Sequence, residues 1–293
     1  MIWDNLREEE FEGAIKKSGG LCVIPIGCVE KHGQHLPVGA DYIQALAITK
    51  AAAEIEDVVI FPVGAWLGEV SGFHAFKDPA AARLRGCIGI KQTTLLTVLE
   101  ELCDEIARNG FTKILFVNNH GGNIPLLQLF LRAQSYEPKP YATMSVFASS
   151  GLSSDRVYSL VTQDRKKFAD ITDEDVAVLK KLTETGYGGG HADIRETGIV
   201  MAVDESLVAP ERYDAESGLS NHRTDYLTDI GVSSVNAWLA NYPNSYNGYP
   251  SNGCSVAIGN AYIKIASERL AETFKIIKEN DDVVRSCQML PKI

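Results

Sequence analysis

The chain has 293 residues, of which 45% are hydrophobic and 23% are charged, as is ordinary for a folded protein with a sizeable core. Its 28 lysines and arginines are outnumbered by 38 aspartates and glutamates, so the formal net charge is −10 and nucleic acid is not expected as a main partner. No apolar run reaches the ~18 residues of a membrane span, and the N-terminus lacks the pattern of a secretion signal, so no membrane association and a cytoplasmic location are predicted.

Short apolar runs alternate with amphipathic stretches along the chain, which is typical of a mostly parallel sheet covered by helices on both faces. Residues 213–253, rich in Asn, Ser, Tyr and Gly, are predicted to form long loops rather than a linker, so one domain over residues 1–293 is expected. The strands are predicted at Leu21–Ile26, Val58–Val63, Ile114–Val117 and Tyr141–Phe147. The helices are predicted at Tyr42–Ala53, Gln92–Asn109, Ile124–Ser135, Asp173–Thr185 and Ala261–Glu279.

A first polar cluster follows the first predicted strand, in residues 25–41 (PIGCVEKHGQHLPVGAD). Its potential metal ligands are Glu30, His32, His35 and Asp41. Because an α/β sheet places ligands beyond the carboxyl ends of its strands, this loop is where chemistry is expected. Carboxylates and imidazoles together suit divalent Zn, Mn or Fe. A polar turn whose histidines are satisfied locally explains this segment, taken alone, equally well.

A second polar cluster follows the strand at Ile114–Val117 and runs as NNHGGN into a helix. Glycines let the backbone pass close to a ligand, and the start of a helix offers free N–H groups. His120 is therefore a candidate metal ligand at the same edge of the sheet. Alternatively, Asn123 caps the helix and His120 is merely adjacent to it.

A third cluster is residues 186–197 (GYGGGHADIRET). It has neither the Walker pattern nor GxGxxG, so its glycines fit a lid edge or a close backbone approach better than a phosphate cradle. A helical pattern follows His191 and Glu196. If that helix begins near Ala192, Glu196 lies in an early turn and can project toward the loops at the sheet edge.

Together, the clusters resemble the creatininase family of metal-dependent amidohydrolases over most of the chain. The family's opening element is similar to residues 30–41 (EKHGQHLPVGAD), its middle element to residues 119–123 (NHGGN) and its third to residues 191–197 (HADIRET). Residues 248–250 (GYP) also resemble the family's C-terminal pattern. One element alone would be weak, whereas three in this order and at these spacings are a specific match.

The resemblance implies an α/β fold, a three-layer α/β/α sandwich with a mostly parallel central sheet, and a centre of two divalent metal ions (Zn, Mn or Fe). Carried over by position, Glu30, Asp41 and His120 would bind one ion. His32, Asp41 and Glu196 would bind the other, so that Asp41 bridges the pair. Two ions about 3.5–4 Å apart can activate a water molecule and polarise a carbonyl oxygen together.

The implied activity is hydrolysis of a C–N bond in a small-molecule amide, cyclic amide or formamide. The predicted catalytic residues are His191, which would pass a proton to the leaving nitrogen, and the ligand Glu196. His35 would orient ligands from outside the centre. The family also implies a homo-oligomer, a hexamer, for which residues 213–249 are either contact surfaces or walls of the site.

Three departures from creatininase proper predict a substrate other than creatinine. Gly122 stands where a carboxylate is expected, so the second metal would depend on Glu196. No tryptophan lies between residues 121 and 190, and residues 74–79 (HAFKDP) replace the family's histidine and PGT segment, leaving His74 as a second candidate for the proton donor. The alternatives are a peptidase-like branch acting on a short peptide and a non-catalytic metal-binding or scaffold member of the fold. The scaffold is disfavoured, because a buried ligand cluster is costly without a metal.

Overall fold

The structure is a computed structural model of the chain, and it describes residues 1–70, 85–185, 190–234 and 237–288. The strands are β1 (Leu21–Ile26), β2 (Val59–Ile60), β3 (Lys113–Asn118) and β4 (Ala142–Phe147). They form a parallel sheet in the order β2-β1-β3-β4. The helices are α1 (Phe11–Lys17), α2 (Ala40–Ala53), α3 (Gln92–Arg108), α4 (Asn123–Ala133), α5 (Ser154–Gln163), α6 (Asp173–Glu184), α7 (Ile194–Val203), α8 (Asp225–Thr228), α9 (Ala237–Asn241), α10 (Val256–Glu279) and α11 (Asp282–Gln288).

Helices cover both faces of the sheet. Every residue of β1 and β3 is buried, as expected for central strands of a parallel sheet. Successive side chains of β1 point to opposite faces. Leu21 and Val23 pack in one apolar core with side chains of α2, α5, α6, α7 and α10. Cys22 and Ile24 pack in a second core with side chains of α1, α3 and α4. The predicted three-layer α/β/α architecture is therefore confirmed.

The predicted elements are all present, and all but β1 have shifted ends. The predicted strand Val58–Val63 is wrong in length, since β2 has only two residues. The chain leaves the sheet soon after Phe61, whose N–H still bonds to Val23, because Pro62 has no N–H to donate. The last long helix begins five residues earlier than predicted, because the Ser255 side chain accepts a hydrogen bond from the N–H of Ile258 and caps it. Residues 213–253 are largely loop but contain two short helices, α8 and α9.

Helices α7 and α10 approach each other very closely. A Cβ atom added to Gly259 of α10 would overlap the backbone carbonyl of Gly198 in α7. Glycine at these positions thus lets the two backbones touch. Glu196 lies on α7 two residues before Gly198. The close contact between the helices therefore helps to set the position of its carboxylate at the edge of the sheet.

No helix among the described residues combines the length and the apolar composition needed to cross a bilayer. The six cysteines, all within the described residues, are free thiols.

Candidate metal centre

The three polar clusters meet at the carboxyl ends of β1 and β3. Glu30 and His32 lie in the loop after β1, and Asp41 lies in the first turn of α2. His120 follows β3, and Glu196 lies in the first turn of α7, which Asp193 caps by accepting a hydrogen bond from the Glu196 N–H. All five residues are buried, none being more than 7% exposed. The structure therefore brings the predicted ligands together, although Glu30 and Glu196 are 166 positions apart in the sequence.

The carboxylate of Asp41 stands at the middle of the cluster. Its Oδ2 lies 2.9 Å from Nδ1 of His120, and its Oδ1 lies 3.2 Å from Nε2 of His32. Glu30 Oε1 lies 3.1 Å from the same nitrogen of His120, and Glu196 Oε2 lies 3.7 Å from the same nitrogen of His32. One carboxylate thus faces two imidazoles through different oxygens, and each imidazole has a further carboxylate beside it. Their donor atoms form two groups in which all atoms lie within 4.8 Å of one another.

The ring orientation of His32 suits a metal ligand. Its Nδ1 donates a hydrogen bond of 3.0 Å to the backbone carbonyl of Glu30. This bond leaves Nε2 as the nitrogen that faces Asp41 and Glu196. Metal-binding histidines characteristically donate their other ring N–H to a carbonyl or a carboxylate in this way.

Without a metal, the cluster compensates its charges only through protons. Burial favours a neutral His32, but Asp41, Glu196 and Glu30 overcome it and raise the pKa of His32 to about 10. Burial also opposes the charge of Glu30, yet the imidazoles of His120 and His191 lower its pKa to about 2. Glu196 is the least compensated carboxylate, because burial and the nearby Asp41 raise its pKa to about 7. Three buried carboxylates therefore converge on imidazoles whose positive charge compensates them. This arrangement fits a site for divalent cations.

His191 lies against this cluster with a defined tautomer. Its Nε2 donates a hydrogen bond of 2.8 Å to the backbone carbonyl of Lys31, so Nδ1 carries the lone pair of the neutral ring. Nδ1 lies 3.4 Å from Glu30 Oε1. Burial, followed by the charge of His32, lowers the pKa of His191. The side chain thus offers a proton-accepting nitrogen beside the candidate ligands.

A cavity of about 400 Å³ opens onto the cluster. The ring of Trp238 stands edge-on to His191, with 5.4 Å between the ring centroids. The sequence placed Trp238 only within residues 213–249, predicted as contact surfaces or walls of the site, because the short helix α9 that carries it has no motif. Besides the predicted site residues and the glycines at 121, 122 and 190, the cavity is lined by Asn119, Phe147, Arg195, Trp238 and Asn247.

Two further residues of the loop after β1 lie near the candidate ligands. One contacts Asp41, and the other contacts the helix that carries Glu196. The thiol of Cys28 donates to Asp41 Oδ2 over 3.2 Å, and burial raises its pKa, so it stays protonated rather than nucleophilic. His35 does not reach the ligand groups. Its Nε2 lies 3.1 Å from Oγ1 of Thr197, the residue after Glu196, so it supports the ligand-bearing helix from behind. Burial lowers the pKa of His35 to about 4.

The alternative role considered for Asn123, as a helix cap, is wrong. Asn123 is the first residue of α4, and no side chain caps that helix. Its amide instead donates to the carbonyl of Gly27 and accepts from the N–H of Glu69, over 2.9 and 2.7 Å. It therefore ties the loop after β1 to the loop containing Glu69.

The absent carboxylate at Gly122 has a steric explanation. A Cβ atom at this position would lie 2.5 Å from Nε2 of His120 and 2.6 Å from Oε2 of Glu69. The Glu69 carboxylate thus borders the space that a side chain at 122 would need. No sequence pattern pointed to Glu69. His74, the remaining residues of the 74–79 segment and Gly186–Gly189 lie outside the described residues.

Neighbouring glycines offer a matched test of this packing. Gly122 has helical φ and ψ, so alanine is acceptable to its backbone, whereas a Cβ at Gly121 would have no atom within 4 Å. Gly122→Ala should push the His120 ring aside and weaken metal binding by roughly 10–100-fold, the usual cost of disturbing a ligand's support. Gly121→Ala should change metal affinity little. Zinc titrations against a chelating indicator would measure both, and equal affinities would show that position 122 is not sterically critical.

The family of the chain follows from comparison with known proteins. A family model described as Creatininase, creatinine amidohydrolase, matches residues 4–274. The chain therefore belongs to the creatininase family of amidohydrolases.

Two characterised relatives differ in what they act on. The chain is 24% identical over 212 residues to the creatinine amidohydrolase of Pseudomonas putida, an alignment that covers 70% of this chain and 72% of that protein. It is 26% identical over 193 residues to the mycofactocin precursor peptide peptidase of Mycolicibacterium smegmatis, covering 61% of this chain and 73% of that protein.

Solved creatininase structures share the fold. One that carries a tryptophan-to-phenylalanine substitution matches with a TM-score of 0.70 and 15% identity, over 95% of this chain and 99% of the other. The manganese form of creatininase matches with a TM-score of 0.67 and 17% identity, over 95% and 99%. A zinc form matches with a TM-score of 0.69 and 17% identity, over 95% and 98%. At such identities these structures support only the fold of this chain, not its activity or substrate.

Proposed function

We propose that the protein hydrolyses a C–N bond of a small amide, cyclic amide or formamide with the help of two divalent metal ions. The observation that carries this proposal is the carboxylate of Asp41, whose two oxygens face two different imidazoles. Glu30, Asp41 and His120 would hold one ion, and His32, Asp41 and Glu196 the other. Ions held there would polarise the amide carbonyl and lower the pKa of a water molecule.

His191 has the geometry of the proton carrier. Its Nε2 is engaged by the Lys31 carbonyl, so proton transfer takes place at Nδ1. Burial keeps the ring neutral, so Nδ1 first accepts the proton that the attacking water loses. It then donates that proton to the leaving nitrogen as the C–N bond breaks, and the products are a carboxylate and an amine.

A peptide substrate is the second candidate. It is favoured by the likeness to a precursor peptide peptidase, which is no more distant in sequence than the creatinine amidohydrolase. Creatinine itself is less favoured, since Gly122 has no room for the carboxylate expected in creatininase proper.

Metal analysis and hydrolysis assays test the function together. Purified protein should contain about two divalent ions per chain, in keeping with a two-metal hydrolase. It should also release amine from at least one member of a panel of cyclic amides, formamides and dipeptides, and lose that activity with a chelator. Protein that binds no divalent ion, or that binds ions but hydrolyses no C–N bond, would contradict the proposal, and the second outcome would favour a scaffold.

We also propose that the protein is a homo-oligomer, with residues 219–232 at the contact between copies. Leu219 and Ile230, each 71% exposed, and Tyr226, 66% exposed, are large apolar side chains on this segment. Light scattering should give a mass well above the 31.9 kDa of one chain. Ile230→Lys should lower that mass. Leu129→Lys also replaces an exposed apolar side chain with a charged one, but on another surface of the described chain, and should not. A monomer at micromolar concentration would contradict the prediction.

A further inference from the structure

Arg195 is the one lysine or arginine among the described residues that line the cavity. It lies on α7 directly before Glu196, and its side chain is 14% exposed. Nothing in the hydrolytic role described above uses this cation. Its position next to a candidate ligand places it where a bound substrate would be within reach.

The guanidinium group is only lightly engaged by the protein. Its Nη2 donates a hydrogen bond of 3.0 Å to the carbonyl of Gly190, the one hydrogen bond that the side chain forms within the described residues. Glu196 Oε1 lies 3.5 Å from Nη2, and Asp193 Oδ1 lies 3.9 Å from Nε, which has no hydrogen-bond partner in the described part of the chain. A guanidinium has five N–H donors, so the described residues use only a small part of its capacity.

The carboxylates beside Arg195 are also engaged by other groups. Asp193 accepts the N–H of Glu196 through Oδ1 and the N–H of Gly190 through Oδ2, over 3.1 and 2.7 Å. Glu196 accepts the N–H of Ala192 over 2.7 Å and faces His32. In a chain that holds two divalent ions, the charge of Glu196 would be shared with a metal. The cavity would then carry a net positive charge, because the carboxylates that line it are outweighed by the ions and Arg195.

We propose that Arg195 binds a carboxylate carried by the substrate, so that the protein acts on anionic amides such as N-acyl amino acids or the C-terminal end of a short peptide. This inference rests on the proposed amide hydrolysis. A planar guanidinium presents paired N–H groups that match the two oxygens of a carboxylate. Phe147 and Trp238 line the same cavity and offer apolar surface to the carbon skeleton of such a molecule.

Two probes that differ only in the anionic group test the proposal. N-acetylglycine and N-acetylglycinamide have nearly the same shape, and their binding to zinc-loaded protein can be measured by calorimetry. The native chain should bind the carboxylate at least about tenfold more tightly, since hydrogen bonds to charged groups typically exceed the 1.4 kcal/mol that corresponds to this ratio. Arg195→Gln should abolish the preference, and Arg195→Lys should retain part of it. Arg212→Gln, which removes an equal charge from an exposed position, should leave it intact.

Zinc content, measured on the same samples, separates the possible failures. A native chain that holds zinc but shows no preference, or binds neither probe, overturns the carboxylate proposal and leaves the proposed hydrolase intact. The proposal is also overturned if Arg195→Gln weakens both probes equally or loses zinc, because Arg195 would then act by supporting Glu196. A native chain that binds no divalent ion contradicts the proposed function itself.

Discussion

Replacing Asp41 with alanine is expected to abolish binding of both proposed metal ions and to reduce hydrolysis to background. Each oxygen of this carboxylate faces one of the two imidazoles, so one substitution deprives both ligand groups of a donor. It also leaves His32 and His120 without the buried anion that they share. Loss of a buried charged partner of this kind costs about 3–5 kcal/mol in comparable cases, so the free energy of unfolding of the metal-free chain should fall as well.

A buried carboxylate elsewhere provides the matched control for Asp41. Asp175 is 6% exposed, caps α6 together with Thr172 and accepts a hydrogen bond from Ser255. Asp175→Ala should therefore lower stability while keeping the metal content of the native chain. Elemental analysis after gel filtration distinguishes the two variants. Full metal content in Asp41→Ala would refute the bridging role.

Replacing His191 with alanine is expected to spare the metals and to lower turnover by ~10²–10⁴-fold, the usual contribution of a positioned acid–base group. The reason is that its Nδ1 is the proton-accepting nitrogen beside Glu30, while its Nε2 is held by the Lys31 carbonyl. The effect should appear in kcat, because the side chain acts on the proton transfer rather than on metal binding.

An exposed histidine serves as the control for His191. His222 pairs with Asp225 at the surface, and its side chain is 74% exposed, so His222→Ala should retain full turnover and metal content. Normal turnover in His191→Ala would make His191 structural. The proton donor would then have to be sought elsewhere, with His74 the next candidate.

The sheet and the predicted ligands could be read from the sequence because they depend on local pattern. The strands β1 and β3 are short apolar runs buried on both faces, each followed by a polar cluster, and parallel strands bring such clusters to one edge. The assignment of ligands to the same metal ion could not be read from local pattern. Nothing local links His32 to Glu196, 164 positions later, so that assignment came from the family resemblance alone.

The parts that could not be predicted depend on packing between distant segments. The start of α2 at Ala40 was missed because no side chain caps it, so the helix that carries Asp41 has no local start signal. Glu69 and Trp238 lie in no sequence motif, and only the folded chain brings them beside His120 or the cavity. Arg195 lies within the third cluster, but nothing local assigns it a role.

The glycine contact between α7 and α10 has a genetic consequence. A random-mutagenesis screen for inactive variants should recover substitutions at Gly259 as well as at the ligands, although α10 supplies no candidate ligand. Any side chain there must separate the two helices, and the displacement is carried along α7 to Glu196. Such variants should be folded but poor in metal, and excess zinc should partly restore them. Inactive variants at Gly259 that keep their full zinc content would argue that the contact serves stability only.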